Sequence, residues 1–156
     1  QVKSGYDYVV IDCMPSLGML TINALTAADK VIIPVQAQYL PAKGMTQLLY
    51  NVAKVQRQLN PDLKIGGIVM TLIDQRTSLA KETIEAIRKN YGAGIRIYSA
   101  QIPVGVKAAE ASGRGESIYS YDADSKPAAA YAELTREVLK DGEKARTDRL
   151  RSSGDR

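Results

Sequence analysis

The sequence predicts an α/β protein, a doubly wound and mostly parallel sheet with helices on both faces. Three observations carry that expectation. Apolar runs alternate with longer segments in which apolar residues recur every three or four positions. The runs are unbroken, as in strands covered on both sides. Asp12, Gln36, Asp74 and Pro103 stand at or just past the ends of those runs, where open α/β sheets bind their ligands.

The elements follow in order. The first strand is expected at Tyr8–Asp12, inside "YDYVVIDCMPSLG", where Val9-Val10-Ile11 ends on a carboxylate. A short helix follows across "LTINALTAAD", then a strand over Lys30–Val35. The segment "GMTQLLYNVAKVQRQL" places Met45, Leu48, Leu49, Val52, Val55 and Leu59 on one helical face, and Asn60-Pro61-Asp62 stops it. A third strand covers Ile65–Ile73. The helix "TSLAKETIEAIRKNYG" opens on a Thr or Ser cap, closes at Gly92, and carries Leu79, Thr83, Ile84, Ile87 and Tyr91 as its stripe. A fourth strand, "IRIYSA", leads into "QIPVGVKAAEASGRGES", read as irregular and exposed. A last helix spans about Ser125–Lys140, with Tyr131, Leu134, Val138 and Leu139 facing inward.

Composition bounds the chemistry. The chain has 156 residues, which suits one domain with a real core. Phe and Trp are absent, so Ile, Val, Leu, Ala and Tyr must build that core. No apolar run approaches the ~18–20 residues that span a bilayer, and no signal peptide is evident. One cysteine, Cys13, excludes an internal disulfide and fits a reducing cytoplasm; its expected role is a small buried hydrophobe. The absence of histidine removes Ser-His-Asp and Cys-His nucleophiles and most zinc sites. A net charge of +4 permits nucleic-acid binding without demanding it. Much of the excess lies in "KARTDRLRSSGDR", so residues 142–156 read as a charged, flexible tail after one domain at 1–141. The chain opens at Gln1 without Met and enters a strand almost at once, which reads as the middle of a longer protein.

Asp12 is the leading candidate for chemistry. A carboxylate held at a strand exit can orient water around Mg²⁺; the same residue can also cap the next helix. Pro15 and Gly18 form a tight turn whose backbone amides can face a phosphate or an attacking water, while Ser16 serves equally well as a plain N-cap. Asp74 has its own helix-capping alternative before "RTSL". "EASGRGES" lacks a Lys-Ser/Thr after Gly and links no strand to a helix, so it is not a phosphate cradle.

The text "YDYVVIDCMPSLGMLTINALTAADKVIIPVQAQYLPAKGMTQLL" resembles the Walker-B half of the ParA/Soj partition ATPases, in the MinD-like deviant-Walker-A group. The likeness continues through "LNPDLKIGGIVMTLIDQRTSLAKETIEAIRKNYG" and "IPVGVKAAEASGRGESIYSYDADSKPAAAYAELTREVL", nearly to the end of the chain. It implies the C-terminal part of a P-loop NTPase-like domain, with the Gly-Lys-Thr loop, the signature lysine and a second acidic motif upstream of the Walker-B strand. It implies ATP and Mg²⁺, an ATP-dependent homodimer, non-specific DNA binding, a ParB-type partner that stimulates hydrolysis, and a cytoplasmic, nucleoid-associated location. Residue by residue, it makes Asp12 the Walker-B carboxylate, touching Mg²⁺ through water, and Pro15, Ser16 and Gly18 the switch segment. Asp74, Pro103 and Val104 fall on the adenine side, and Arg76 and Lys107 on DNA-binding positions, with Arg114 as a compensating cation; ordinary solvated charge is the alternative for all three. The chain departs from the family where relatives read "IPRNVR" and it reads "IPVGVK", and where they read "SEAPSHGKPI" and it reads "AEASGRGESI". Lys lacks the planar fork of Arg.

Without a phosphate loop this stretch alone is expected neither to hydrolyse ATP nor to bind it tightly. A non-catalytic dimerisation or partner-binding module is the alternative reading. A membrane-positioning relative fits less well, because the tail has almost no apolar face. The resemblance places the phosphate-loop strand between the Walker-B strand and "VIIPV". Those neighbours either pair directly or leave an open edge that favours self-association.

Overall fold

The structure, a computed structural model, describes residues 5–14, 18–37 and 42–153. The elements are α1 (Met19–Ala27), β1 (Lys30–Gln36), α2 (Ala42–Gln58), β2 (Lys64–Ile73), α3 (Ser78–Tyr91), β3 (Ile97–Pro103), α4 (Val106–Arg114), α5 (Ile118–Tyr121) and α6 (Lys126–Ser153). The three strands form one sheet in the order β1-β2-β3. β2 and β3 run parallel. The β1–β2 bonds from Lys64 N–H to the Asp29 carbonyl and from Ala37 N–H to the Thr71 carbonyl advance in the same direction on both strands, so this pair is parallel too. The expected parallel α/β architecture holds. The chain divides into two compact units, residues 1–31 with 41–66 and residues 32–40 with 67–156.

In the first unit α1 packs on α2, because the three-and-four spacing on α2 puts Val52 and Val55 on one face. They bury with Leu25 and Leu63, and Ile22, Leu48 and Ile65 close around them. Asn60 fixes this packing. Its side-chain amide donates to the carbonyls of Leu25 (3.1 Å) and Ala28 (2.8 Å), satisfying acceptors that the end of α1 leaves open. Leu59, expected on the buried stripe, is exposed, because the helix ends at Gln58 and the chain turns away.

In the second unit α6 covers one face of the sheet. Val69, Tyr98 and Ile102 bury against Ala130, Leu134 and Val138. Strand alternation sends Gln101 to the opposite face, where it shares a hollow with Ala80, Lys81 and Ile84 of α3. Helices therefore flank both faces. The Thr77 side chain caps α3 by accepting from the Ala80 N–H. Ala80 takes the buried position that the sequence had given to Leu79, which is exposed.

The β2–β3 pairing is bulged at two places. Ile68 pairs with Ile97, Met70 with Gln101, and Ile73 with Pro103. Four residues of β3 thus advance against two of β2, and then two against three. Bulges strand backbone groups and re-aim the chain. At the first, the Glu137 carboxylate on α6 accepts from the Ser99 and Ala100 N–H groups at 3.1 and 2.8 Å. Arg96 joins it with Asp141 and Glu137 and stacks over Tyr98. Gly67 makes room: its φ is +151°, and a Cβ there would stand 2.8 Å from the Tyr98 ring. At the second bulge Leu72 takes a φ of +50°, a conformation uncommon outside glycine.

Several sequence expectations are corrected. Tyr8–Asp12 is not a strand. Val9, Val10 and Ile11 are 56%, 91% and 47% exposed, because an apolar run becomes a buried strand only with a ladder partner, and β1, β2 and β3 pair with one another alone among the described residues. The Tyr8–Asp12 stretch and β1 therefore do not close up into a direct pair. Cys13 is likewise exposed, not buried. The supposedly irregular stretch after β3 holds α4, whose last turn ends at Gly115 with a φ of +68°. The final helix does not stop near Lys140 but continues to Ser153.

Glu137→Ala should cost about 2–3 kcal/mol in chemical denaturation, because it orphans two backbone donors and removes one of the two carboxylates that hold Arg96. Burial pushes the Glu137 carboxyl up, but its bonds from Ala100, Ser99 and Arg96 outweigh this and hold it below the ordinary range. Its contribution is therefore present above the unfolded carboxyl value and lost as pH falls through the depressed folded one. Urea midpoints against pH should show a shallower acid limb in Glu137→Gln than in the parent.

Candidate functional site

The carboxyl ends of β2 and β3 build one rim. Ile73 and Pro103 are register partners, and the Val104 N–H donates to the Ile73 carbonyl at 3.1 Å. Asp74 follows Ile73 directly, so the structure brings Asp74, Pro103 and Val104 together. Val104 is half exposed. The bulge at Leu72 sets the phase with which β2 delivers Ile73 and Asp74 to that edge.

Asp74 is the most constrained group on the rim. Arg76 binds it in fork fashion, Nε to Oδ1 at 2.9 Å and Nη2 to Oδ2 at 2.8 Å, and its backbone N–H adds a third bond to Oδ1 at 3.1 Å. The Asp74 carbonyl accepts from the Thr77 N–H and hydroxyl. Asp74 thus helps shape the turn before α3 through its backbone, while Thr77 is the cap. The Arg76 side-chain bonds, then its N–H, lower the Asp74 pKa to about 2. A carboxylate offers about four lone-pair sites. Three are used, and Oδ2 keeps one.

Beside the rim, Ile73, Gln75, Ala80, Lys81, Ile84 and Gln101 line an open hollow of ≈ 370 Å³. Gln75, Lys81 and Gln101 were not singled out from the sequence, because no residue pattern links a strand interior to the first turn of a helix.

Lys107 and Arg114 lie on α4. Glu110 stands between them at helical spacing, with Lys107 Nζ 3.3 Å from Glu110 Oε2. The Tyr121 hydroxyl of α5 donates to the same oxygen at 2.8 Å. Both cations sit over the Tyr121 ring, at 5.4 Å for Lys107 and 5.1 Å for Arg114. The sequence had named the cations but not Glu110 or Tyr121, although the spacing of 107, 110 and 114 marks one helical face.

Asp12 is exposed and outside any strand, so no sheet holds its carboxylate. Gly18 is the residue before α1, where its backbone is extended. Pro15 and Ser16 lie outside the described residues. Among the described residues no group of three or more His, Cys, Asp or Glu side chains could hold a metal ion, and no helix is long and apolar enough to cross a membrane.

A family model described as an AAA domain matches residues 1–65. The chain is 46% identical over 141 residues to the sporulation initiation inhibitor protein Soj of Bacillus subtilis, covering 90% of this chain and 55% of that protein. It is 43% identical to the chromosome-partitioning ATPase Soj of Treponema pallidum, over 92% of this chain and 56% of the relative. It is 41% identical to the chromosome partitioning protein ParA of Myxococcus xanthus, over 86% and 47%. The chain thus spans about half the length of the curated relatives it matches. Among solved structures it resembles cobyrinic acid a,c-diamide synthase from Mycobacterium smegmatis, with a TM-score of 0.73 and 34% identity over 89% of this chain and 49% of that one. Structures of that synthase with ADP and magnesium, and with an ATP analog and magnesium, match with a TM-score of 0.72. On these identities, sustained along almost all of its length, the chain is a homologue of the Soj/ParA chromosome-partitioning proteins.

Proposed function

We propose that this chain is the C-terminal portion of a ParA/Soj-like ATPase that segregates chromosome or plasmid DNA through ATP-dependent dimerisation and non-specific DNA binding. The supporting observation is the 46% identity to Soj over 90% of the chain. It exceeds the 34% shared with the diamide synthase structures over a similar span, so the partition reading takes precedence over an amide-forming one. A ParB-type partner and a second copy of the protein complete the proposed system.

In this reading the rim of β2 and β3 takes the adenine end of ATP. Pro103 and Val104 offer apolar surface to the base, and the open site on Asp74 Oδ2 accepts from its amino group. ATP supplies the phosphoryl group that is hydrolysed, and Mg²⁺ neutralises its oxygens. In the same reading the Asp12 carboxylate contacts Mg²⁺ through water. Pro15, Ser16 and Gly18 form the segment beside the phosphates. Arg76, Lys107 and Arg114 contact DNA phosphates.

Three measurements test this. The 156-residue chain contains no Gly-Lys-Thr loop, so its ATP turnover should match that of an Asp12→Ala control; a clear stoichiometric rate that the substitution abolishes contradicts the assignment. Asp74 should titrate near 2 by carbon-detected NMR and rise toward the ordinary value of about 4 in Arg76→Ala. The same Arg76→Ala change should flatten the log–log salt dependence of duplex binding by about 0.9, the signature of one lost phosphate contact.

A further inference from the structure

We propose that Glu110 is an internal competitor for phosphate on the α4–α5 face, restraining Lys107 and Arg114 until a polyanion displaces its carboxylate. The inference rests on the reading of those two cations as DNA-facing, and adds the residue that sets how strongly they act.

Lys107, Glu110 and Arg114 share one face of α4, and Tyr121 closes that face from α5. One carboxylate oxygen, Glu110 Oε2, receives both the Lys107 ammonium at 3.3 Å and the Tyr121 hydroxyl at 2.8 Å. Arg114 lies close enough to act on the same carboxylate electrostatically. An anionic oxygen held by an ammonium, with a guanidinium acting on it from further along the helix, is what a phosphodiester would present there. Both cations contact the Tyr121 ring, which keeps them on one patch.

Asp122 acts on Lys107 and Glu116 on Tyr121, so two cations share the face with three carboxylates, a small negative excess. Such a surface gains nothing from long-range attraction to DNA. The Lys107–Glu110 pair is solvent-accessible, at 55% and 41% side-chain exposure. Such pairs are weak, so Glu110 is displaced at modest cost. It tunes affinity and does not lock the face shut.

The test is fluorescence anisotropy of the full chain with a labelled mixed-sequence duplex over a salt series, with thermal melts confirming that each variant folds. Glu110→Gln should tighten binding about two- to fivefold at low salt and steepen the salt dependence by about 0.9. Tyr121→Phe changes no charge but frees Glu110, and should tighten binding by a smaller factor. Glu82→Gln, an equal charge change on exposed α3, should move binding less than Glu110→Gln. Equal effects of Glu82→Gln and Glu110→Gln, or no effect of Tyr121→Phe, overturn the proposal. If Lys107→Ala/Arg114→Ala weakens binding while Glu110→Gln is silent, the competitor alone fails. If the double variant binds DNA as the parent does, or neither parent nor Glu110→Gln binds at all, the DNA reading of this face fails with it.

Discussion

The Glu137 carboxylate is the interaction on which the rest of the second unit depends. β3 lies at the edge of the sheet and is bulged, so Ser99 and Ala100 present N–H groups that the ladder with β2 does not absorb. Left unpaired beneath α6, each would carry a desolvation cost. Glu137 takes both, and Arg96 ties Glu137 and Asp141 back to the start of the strand. That arrangement lets β3 keep an irregular register and still end beside β2. Pro103 then faces Ile73, and Val104 closes on its carbonyl. The edge is also capped by a charged side chain, one of the devices that keep strands from pairing with foreign chains.

The residues to which the proposed function assigns nucleotide contacts differ in kind. Asp74, Pro103 and Val104 are built into a bulged parallel pair and held by a backbone hydrogen bond. Asp12 stands outside any strand, on a segment whose apolar residues face solvent. A strand-like sequence does not make a strand by itself. Val9-Val10-Ile11 has the composition of a central parallel strand, but such strands need ladder neighbours and two covered faces. The matched stretch covers 55% and 56% of the two Soj relatives.

Much of the fold was legible in the sequence for simple reasons. The parallel sheet followed from unbroken apolar runs such as Ile68-Val69-Met70, and α2 from the spacing of Val52 and Val55. Asn60 was read correctly as part of the stop after α2, but not as the side chain that ties that stop to α1, since its partners lie more than thirty residues away. α4 was missed because Gly105, Gly113 and Gly115 made its text look like loop. Gly105 and Gly115 in fact bound the helix, and Gly113 is tolerated inside it. The Asp74–Arg76 fork and the Glu110–Tyr121 bond were beyond reach for a different reason. Pairing is a matter of side-chain direction, and neither spacing nor composition reports it. Tyr8–Asp12 failed because strand formation is a non-local property.

Amide hydrogen exchange by NMR distinguishes the prebuilt rim from the unsupported carboxylate segment. Ile68–Ile73, Ser99, Ala100 and Val104 should be protected together, at a level set by opening of the second unit, while Val9, Val10, Ile11 and Asp12 exchange at the rates of open chain. Protection of Val9–Ile11 equal to that of β2, or free exchange at Ser99, Ala100 and Val104, would contradict the account.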